Sequence, residues 1–237
     1  MARRLAIAAI LAVAATMPLA SAPAASAAGV FEVGFGFATG TITGEQINGT
    51  ITGLKVPEHE FHTAAGVLKC KTVKFDGKVA GLTAMLTVTP SVAGCTLGGQ
   101  EASVQPKGCD FEIIAGNTID PKNSDKISVE PSITCGTAEG EPDEIRVNVL
   151  GTECELEIPG QSLKPAGTAE NTTTALPKAD VDVTIDAEDV AYTITHGASC
   201  PNEPANGEHV DGEYRGVTTF RAEEISGAGN PLPFNVT

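Results

Sequence analysis

The sequence predicts an all-β protein, an antiparallel β-sandwich or Greek-key barrel stapled by disulfides, and three observations carry that reading. Period-two alternation is the only sustained hydrophobic period after the first 27 residues; no later stretch keeps apolar residues at i, i+3, i+4 and i+7 over about ten positions. The 26 glycines and 15 prolines interrupt the chain too often for long helices. Six cysteines, Cys70, Cys95, Cys109, Cys135, Cys154 and Cys200, all follow the leader, an even count that in an exported chain reads as three disulfides.

Residues 1–27 read as a signal peptide. Arg3 and Arg4 precede an apolar and small-residue run from Leu5 to Met17, and Ala25-Ser26-Ala27 has the small-x-small pattern that signal peptidase cuts. A cut after Ala22 is the alternative. The run is shorter than the roughly 20 residues a spanning helix needs, and no later stretch approaches that length. The expectation is a protein without a membrane span, secreted or held in the cell envelope, with residues 28–237 forming the β region.

Strand candidates follow in order at 31–37, 40–43, 50–54 and 67–75. In 82–89, Leu82, Ala84, Leu86 and Val88 alternate with Thr83, Met85, Thr87 and Thr89, giving one face to the interior and one to water. Further candidates are 109–114, 127–134, 144–150, 154–158 and 213–220. Val181, Val183 and Ile185 alternate with aspartates and a threonine, and Val190, Tyr192 and Ile194 alternate with Ala191, Thr193 and Thr195; the two read as a hairpin turning at Glu188-Asp189. Asn48-Gly49 and Asp76-Gly77 are dipeptides that tight hairpin turns prefer, because both positions take positive φ. The stretch 159–179, with Pro159, Pro165 and Pro177, reads as a long loop or the boundary between two lobes. The acidic stretch 136–143 reads as a second loop.

The cysteines admit several connectivities. The sequential one, Cys70 with Cys95, Cys109 with Cys135 and Cys154 with Cys200, is adopted as the working expectation. No two cysteines fall within the C-x(2-4)-C spacing of structural zinc sites, nor within a C-x-x-C redox motif, so they read as staples.

With 15 basic against 30 acidic side chains and a formal charge of -15, the chain is repelled by phosphate backbones and anionic lipid surfaces. Nucleic acid is excluded as a partner. An electrostatic partner from the envelope, or a protein partner, would be cationic; the oligomeric state is left open.

Lys69-Cys70-Lys71-Thr72-Val73-Lys74-Phe75-Asp76-Gly77, Leu86-Thr87-Val88-Thr89-Pro90-Ser91-Val92-Ala93-Gly94-Cys95-Thr96 and Gly108-Cys109-Asp110-Phe111 occur in that order. The arrangement resembles uncharacterised secreted, cysteine-containing β-rich proteins of high-GC actinobacteria, with their C-x-x-V-x-F-x-G, L-T-V-T-P-x-Y-x-G-C and N-G-C-x-Y/F strands. Val92 stands where the tyrosine usually does, and Lys107 where the asparagine does. The resemblance spans roughly residues 66–200. It implies secretion and a disulfide-rich β fold, and carries over no catalytic residue.

Three groups of side chains invite a chemical reading. Glu58-His59-Glu60-Phe61-His62 falls one residue short of H-E-x-x-H; on a strand His59 and His62 would point to opposite faces, and the segment reads as a solvated loop. Asp180, Asp182, Asp186, Glu188 and Asp189 stack carboxylates on one outward face and are the calcium candidates, although the D-x-[DN]-x-[DN]-G loop is absent and a solvated acidic face is the plainer reading. No other cofactor is expected. No G-x-S-x-G occurs, and the absence of tryptophan with only two tyrosines argues against sugar platforms. The expectation is therefore a non-enzymatic exported β protein with a binding or structural role. Two alternatives remain: a hydrolase with a dispersed site, marked by a pocket gathering a histidine with Ser, Asp or Glu, and a small-ligand carrier, marked by an apolar cavity with few polar groups.

Overall fold

The computed structural model describes residues 29–36, 38–46, 50–51, 54–55, 58–120, 123–136, 144–172, 180–225 and 230–237. The signal-peptide segment and Asn48-Gly49 lie outside them, as does nearly all of the loop 136–143. The N-terminal strands are β1 (Phe31–Val33), β2 (Thr39–Gln46), β3 (Thr50–Ile51), β4 (Leu54–Lys55) and β5 (Glu60–Thr63). A long hairpin follows, β6 (Gly66–Ala80) and β8 (Met85–Leu97), with β7 (Leu82–Thr83) between them. Next come β9 (Gln100–Gln105), β10 (Cys109–Asp120), β11 (Asn123–Cys135), β12 (Glu144–Val149) and β13 (Glu155–Pro159). After β14 (Gln161–Ser162) and β15 (Gly167–Asn171) a second long hairpin, β16 (Asp180–Thr195) and β17 (Gly207–Glu224), precedes β18 (Pro231–Leu232) and β19 (Phe234–Val236).

Following hydrogen-bonded neighbours gives two closed antiparallel circuits. The first runs β2, β6, β8, β10, β11, β15, β16, β17 and back to β2. The second runs β5, β6, β8, β9, β12, β13, β16, β17 and back to β5. Each is a barrel, and closure removes the exposed edges that open sheets must protect. The two share β6, β8, β16 and β17, and one continuous core fills both.

A strand with period two can serve two barrels only if its inward face changes parity on the way. In β6, Leu68 and Cys70 point inward, Lys71 and Thr72 are both exposed, and Val73 and Phe75 resume the interior. β8 takes the same step at Ala93 and Gly94, and β16 at Glu188 and Asp189. Gly94 (φ +63) and Asp189 (φ 54) adopt the left-handed backbone there. The expected turn at Glu188-Asp189 is thus a bulge inside one continuous strand.

Two other local expectations are corrected. Asp76-Gly77 lies inside β6, with Asp76 opposite Thr43 and Thr89. Gly77 is there because a Cβ would meet the Thr87 carbonyl oxygen of the neighbouring strand, a demand for close approach and not for positive φ. The stretch 159–179 contains β14 and β15, both paired with β11; residues 173–179 lie outside the described chain.

The cysteines pair sequentially, and the chain has no free thiol. Cys70–Cys95 and Cys109–Cys135 join directly opposed residues of β6 with β8 and of β10 with β11. Cys154–Cys200 ties the residue before β13 to the turn after β16. β1 and β19 pair with each other and bury Phe31, Val33, Phe234 and Val236 completely, with the Phe31 and Phe234 rings stacked at 6.1 Å. The Asn171 side chain donates to the Val236 carbonyl (2.9 Å) and accepts its N–H (2.8 Å), completing a ladder with an amide in place of backbone. Among the described residues no helix is long and apolar enough to cross a membrane.

Candidate ligand cavity at the junction of the barrels

Where the shared strands pass from one barrel to the other, the unshared strands part and leave seams. On β17 the pairing with β5 stops at Arg215 and that with β2 starts at Thr218; on β8 the pairing with β10 stops at Val88 and that with β9 starts at Cys95. Backbone groups left between strands need other partners. The Gln161 side chain supplies one pair on β16, accepting from the Ala191 N–H (2.8 Å) and donating to the Ala191 carbonyl (2.9 Å). On β17 the partner is His59, whose Nε2 lies 3.2 Å from the Val217 carbonyl. Replacing Gln161 by alanine leaves both Ala191 groups without the amide, and the expected loss is about 1–2 kcal/mol of stability, read from denaturant melts.

Between the seams lies a cavity of about 100 Å³. β6 contributes Leu68, Val73 and Phe75 to its wall and β8 contributes Pro90 and Val92. Val104, Phe111, Ile133, Ile145 and Ile158, one from each of β9 to β13, close the other side. The polar residues on the lining are His59, Glu60 and Tyr214.

His59 is buried immediately ahead of β5, and glycine makes its place: a Cβ on Gly216 would sit 2.5 Å from its Nδ1. Its Nε2–H donates to the Val217 carbonyl, with the Thr218 hydroxyl also 3.0 Å away, so Nδ1 is left as acceptor for the Tyr214 O–H at 2.6 Å. Burial holds the imidazole neutral, its pKa lowered to about 4, against the opposing pull of the Val217 carbonyl. Burial pushes the Tyr214 phenol above its ordinary value. The pair therefore stays uncharged at neutral pH. Glu60 turns its carboxylate to Lys69 (2.6 Å) and His62 (3.0 Å), and the Lys69 ammonium in particular holds it below the usual carboxyl range.

The segment 58–62 is thus not a solvated loop. Its two histidines do face opposite ways, one into the cavity and one toward Glu60. Sequence reasoning singled out His59 but missed its burial, and the signal available was the spacing of Gly212 and Gly216 in β17, where Cβ atoms would meet the rings of Phe61 and His59.

The calcium candidates are not brought together as one site. Asp180 pairs with Arg221 (3.1 Å) and Asp186 with Arg215 (2.8 Å). Asp182 accepts from the Thr219 hydroxyl at 2.6 Å, and burial raises its carboxyl despite that bond. The Glu188 N–H donates to the Lys164 carbonyl, and Asp189 is exposed at the bulge. Among the described residues no three His, Cys, Asp or Glu side chains gather closely enough to hold a metal ion.

No family model matches the chain, and neither the curated proteins nor the solved structures contain a significant match to it.

Proposed function

We propose that the protein is exported and non-enzymatic, and that it binds a small apolar ligand in the cavity between its barrels. The observation that carries this reading is an apolar cavity at the junction whose few polar groups are turned outward or occupied with one another. Export is supported by the leader pattern of residues 1–27, by three disulfides and by the resemblance to secreted actinobacterial proteins. The hydrolase alternative is less favoured. The cavity does bring His59 beside Glu60, but His59 uses both ring nitrogens on Tyr214 and on the Val217–Thr218 wall, the Glu60 carboxylate is bound to Lys69 and His62, and among the described residues no serine lines the cavity.

The test uses indole. The chain contains no tryptophan, so indole excited beyond tyrosine absorption reports its own surroundings without background. Its emission is expected to shift to the blue and saturate on titration with the oxidised protein. Val73→Phe, which fills the cavity from β6, is expected to weaken that binding about tenfold or more with the fold retained. Emission that stays at its aqueous position up to the solubility limit, together with a melting temperature that saturating benzene, a single ring, leaves unchanged, would reject the reading.

A further inference from the structure

Resting on that reading, we infer that the ligand is a neutral group about the size of a single ring, and that it reaches the cavity through the seam beside β8, between Val92 of β8 and Val104 and Pro106 at the end of β9. The volume sets the size: about 100 Å³ is somewhat below the roughly 150 Å³ of a buried apolar cavity that stays dry and takes benzene. Aromatic edges and faces suit a ring. Phe75 and Phe111 meet edge to face at 5.5 Å on the lining, and Tyr214 lies 6.3 Å from Phe111. A charged ligand would lose its hydration in a wall that offers no free counter-charge, because the Glu60 carboxylate is bound to Lys69 and His62.

The path follows from how the seams are closed. Two shared strands have their exposed backbone at the crossing covered by a polar side chain, β17 by His59 and β16 by Gln161. The β8 side is built differently. Pro90 stands in the strand where pairing with β10 has ended, and proline presents no N–H that would need a partner along an open edge. Val92, Val104 and Pro106 are only partly buried, whereas Leu68, Val73 and Phe75 on the adjoining strand β6 are at most 9% exposed. The rim is also held in place: the Cys109 N–H donates to the Pro106 carbonyl at 2.8 Å, and Cys109 is bonded to Cys135. The seam is therefore a fixed slot with apolar lips.

Stopped-flow mixing of indole with the oxidised full chain distinguishes the possibilities, because a gate alters rates and a seat alters affinity. Val104→Phe is expected to slow association by about tenfold, whereas Val73→Phe, which fills the cavity from β6, is expected to weaken binding through faster dissociation with the association rate changed less than about threefold. Val92→Phe, on the opposite lip, serves as the second lip variant should Val104→Phe not fold, and is expected to slow association likewise. Gln161→Ala is expected to leave both rates at the wild-type value. Association rates unchanged in both lip variants would overturn the path and leave the cavity reading standing. A wild-type protein that takes up neither indole nor the smaller benzene would instead remove the reading on which this inference rests, and saturable uptake of charged benzoate or benzylamine as tight as that of indole would overturn the neutral class.

Discussion

Reduction of the oxidised protein is expected to unfold it at physiological temperature. Each disulfide restricts the unfolded chain by closing a loop, with sequence separations of 25, 26 and 46 residues, and in the chain-entropy account each contributes about 3–4 kcal/mol. Together they supply about 10 kcal/mol, comparable with the whole stability of an ordinary domain. The core offers little in reserve, since its buried side chains are mostly Val, Ile, Leu and Ala, and the chain is only 4% aromatic. Circular dichroism melts with and without a phosphine reductant measure the difference. A reduced protein that keeps its β signal and melts within a few degrees of the oxidised form would show that packing alone holds the barrels.

Acidification is expected to cost about 3 kcal/mol through one side chain. The His59 imidazole has its pKa lowered from 6.5 to about 4 by burial. As pH falls through 6.5 the unfolded chain takes up a proton that the folded protein refuses, so stability declines from there and the loss is complete near pH 4, where both states are protonated. Above pH 6.5 the contribution is fully present. A gap of two to three pH units corresponds to about 3 kcal/mol. Tyr214, the hydrogen-bond partner, does not titrate in this window, because burial pushes it upward. Carboxylates contribute their own slope, so the informative quantity is the difference between wild type and His59→Gln, whose amide N–H can still reach the Val217 carbonyl. That difference is expected to shrink by about 3 kcal/mol between pH 7 and pH 4 in urea melts. Parallel curves for the two proteins would mean that His59 is protonated, or exposed, in the folded state.

Much of the secondary structure was legible because outward Thr and Asp alternate with inward Val, Ile and Leu in 86–89, 181–185 and 190–194, whereas Leu82 and Ala84, expected on the inward face of one strand 82–89, are exposed where that stretch divides into β7 and β8. A β-sandwich or barrel was expected, but its division into two barrels that share four strands was not legible, and the reason is physical. A parity step of two exposed residues looks in one dimension like a turn, so Glu188-Asp189 divided β16 in two, and the double step in β6 and β8 left no trace beyond Gly94. β5 and β9 were invisible because Phe61 is the single buried residue within the first and Ala102 within the second. The cavity was illegible for a different reason. Its lining comes from most strands between β5 and β17, and no periodicity in one segment reports a space enclosed by nine or ten others. His59 belongs to the same class: what buries it is Gly216, far along the chain and on another strand.

The sharing of β6, β8, β16 and β17 also bears on how the molecule assembles. Neither circuit can close until the β16–β17 hairpin arrives, since both barrels use it as a wall. Everything synthesised before Asp180 therefore waits as open sheet with unsatisfied edges, and the pairings that complete the fold join segments far apart in the chain, such as β2 with β17 and β5 with β17. Such long-range closure is slow and leaves strand edges available to other chains while it lasts. A chain built this way gains from being kept unfolded until it is complete, and under the export proposed above, threading through a channel before oxidation would provide that delay.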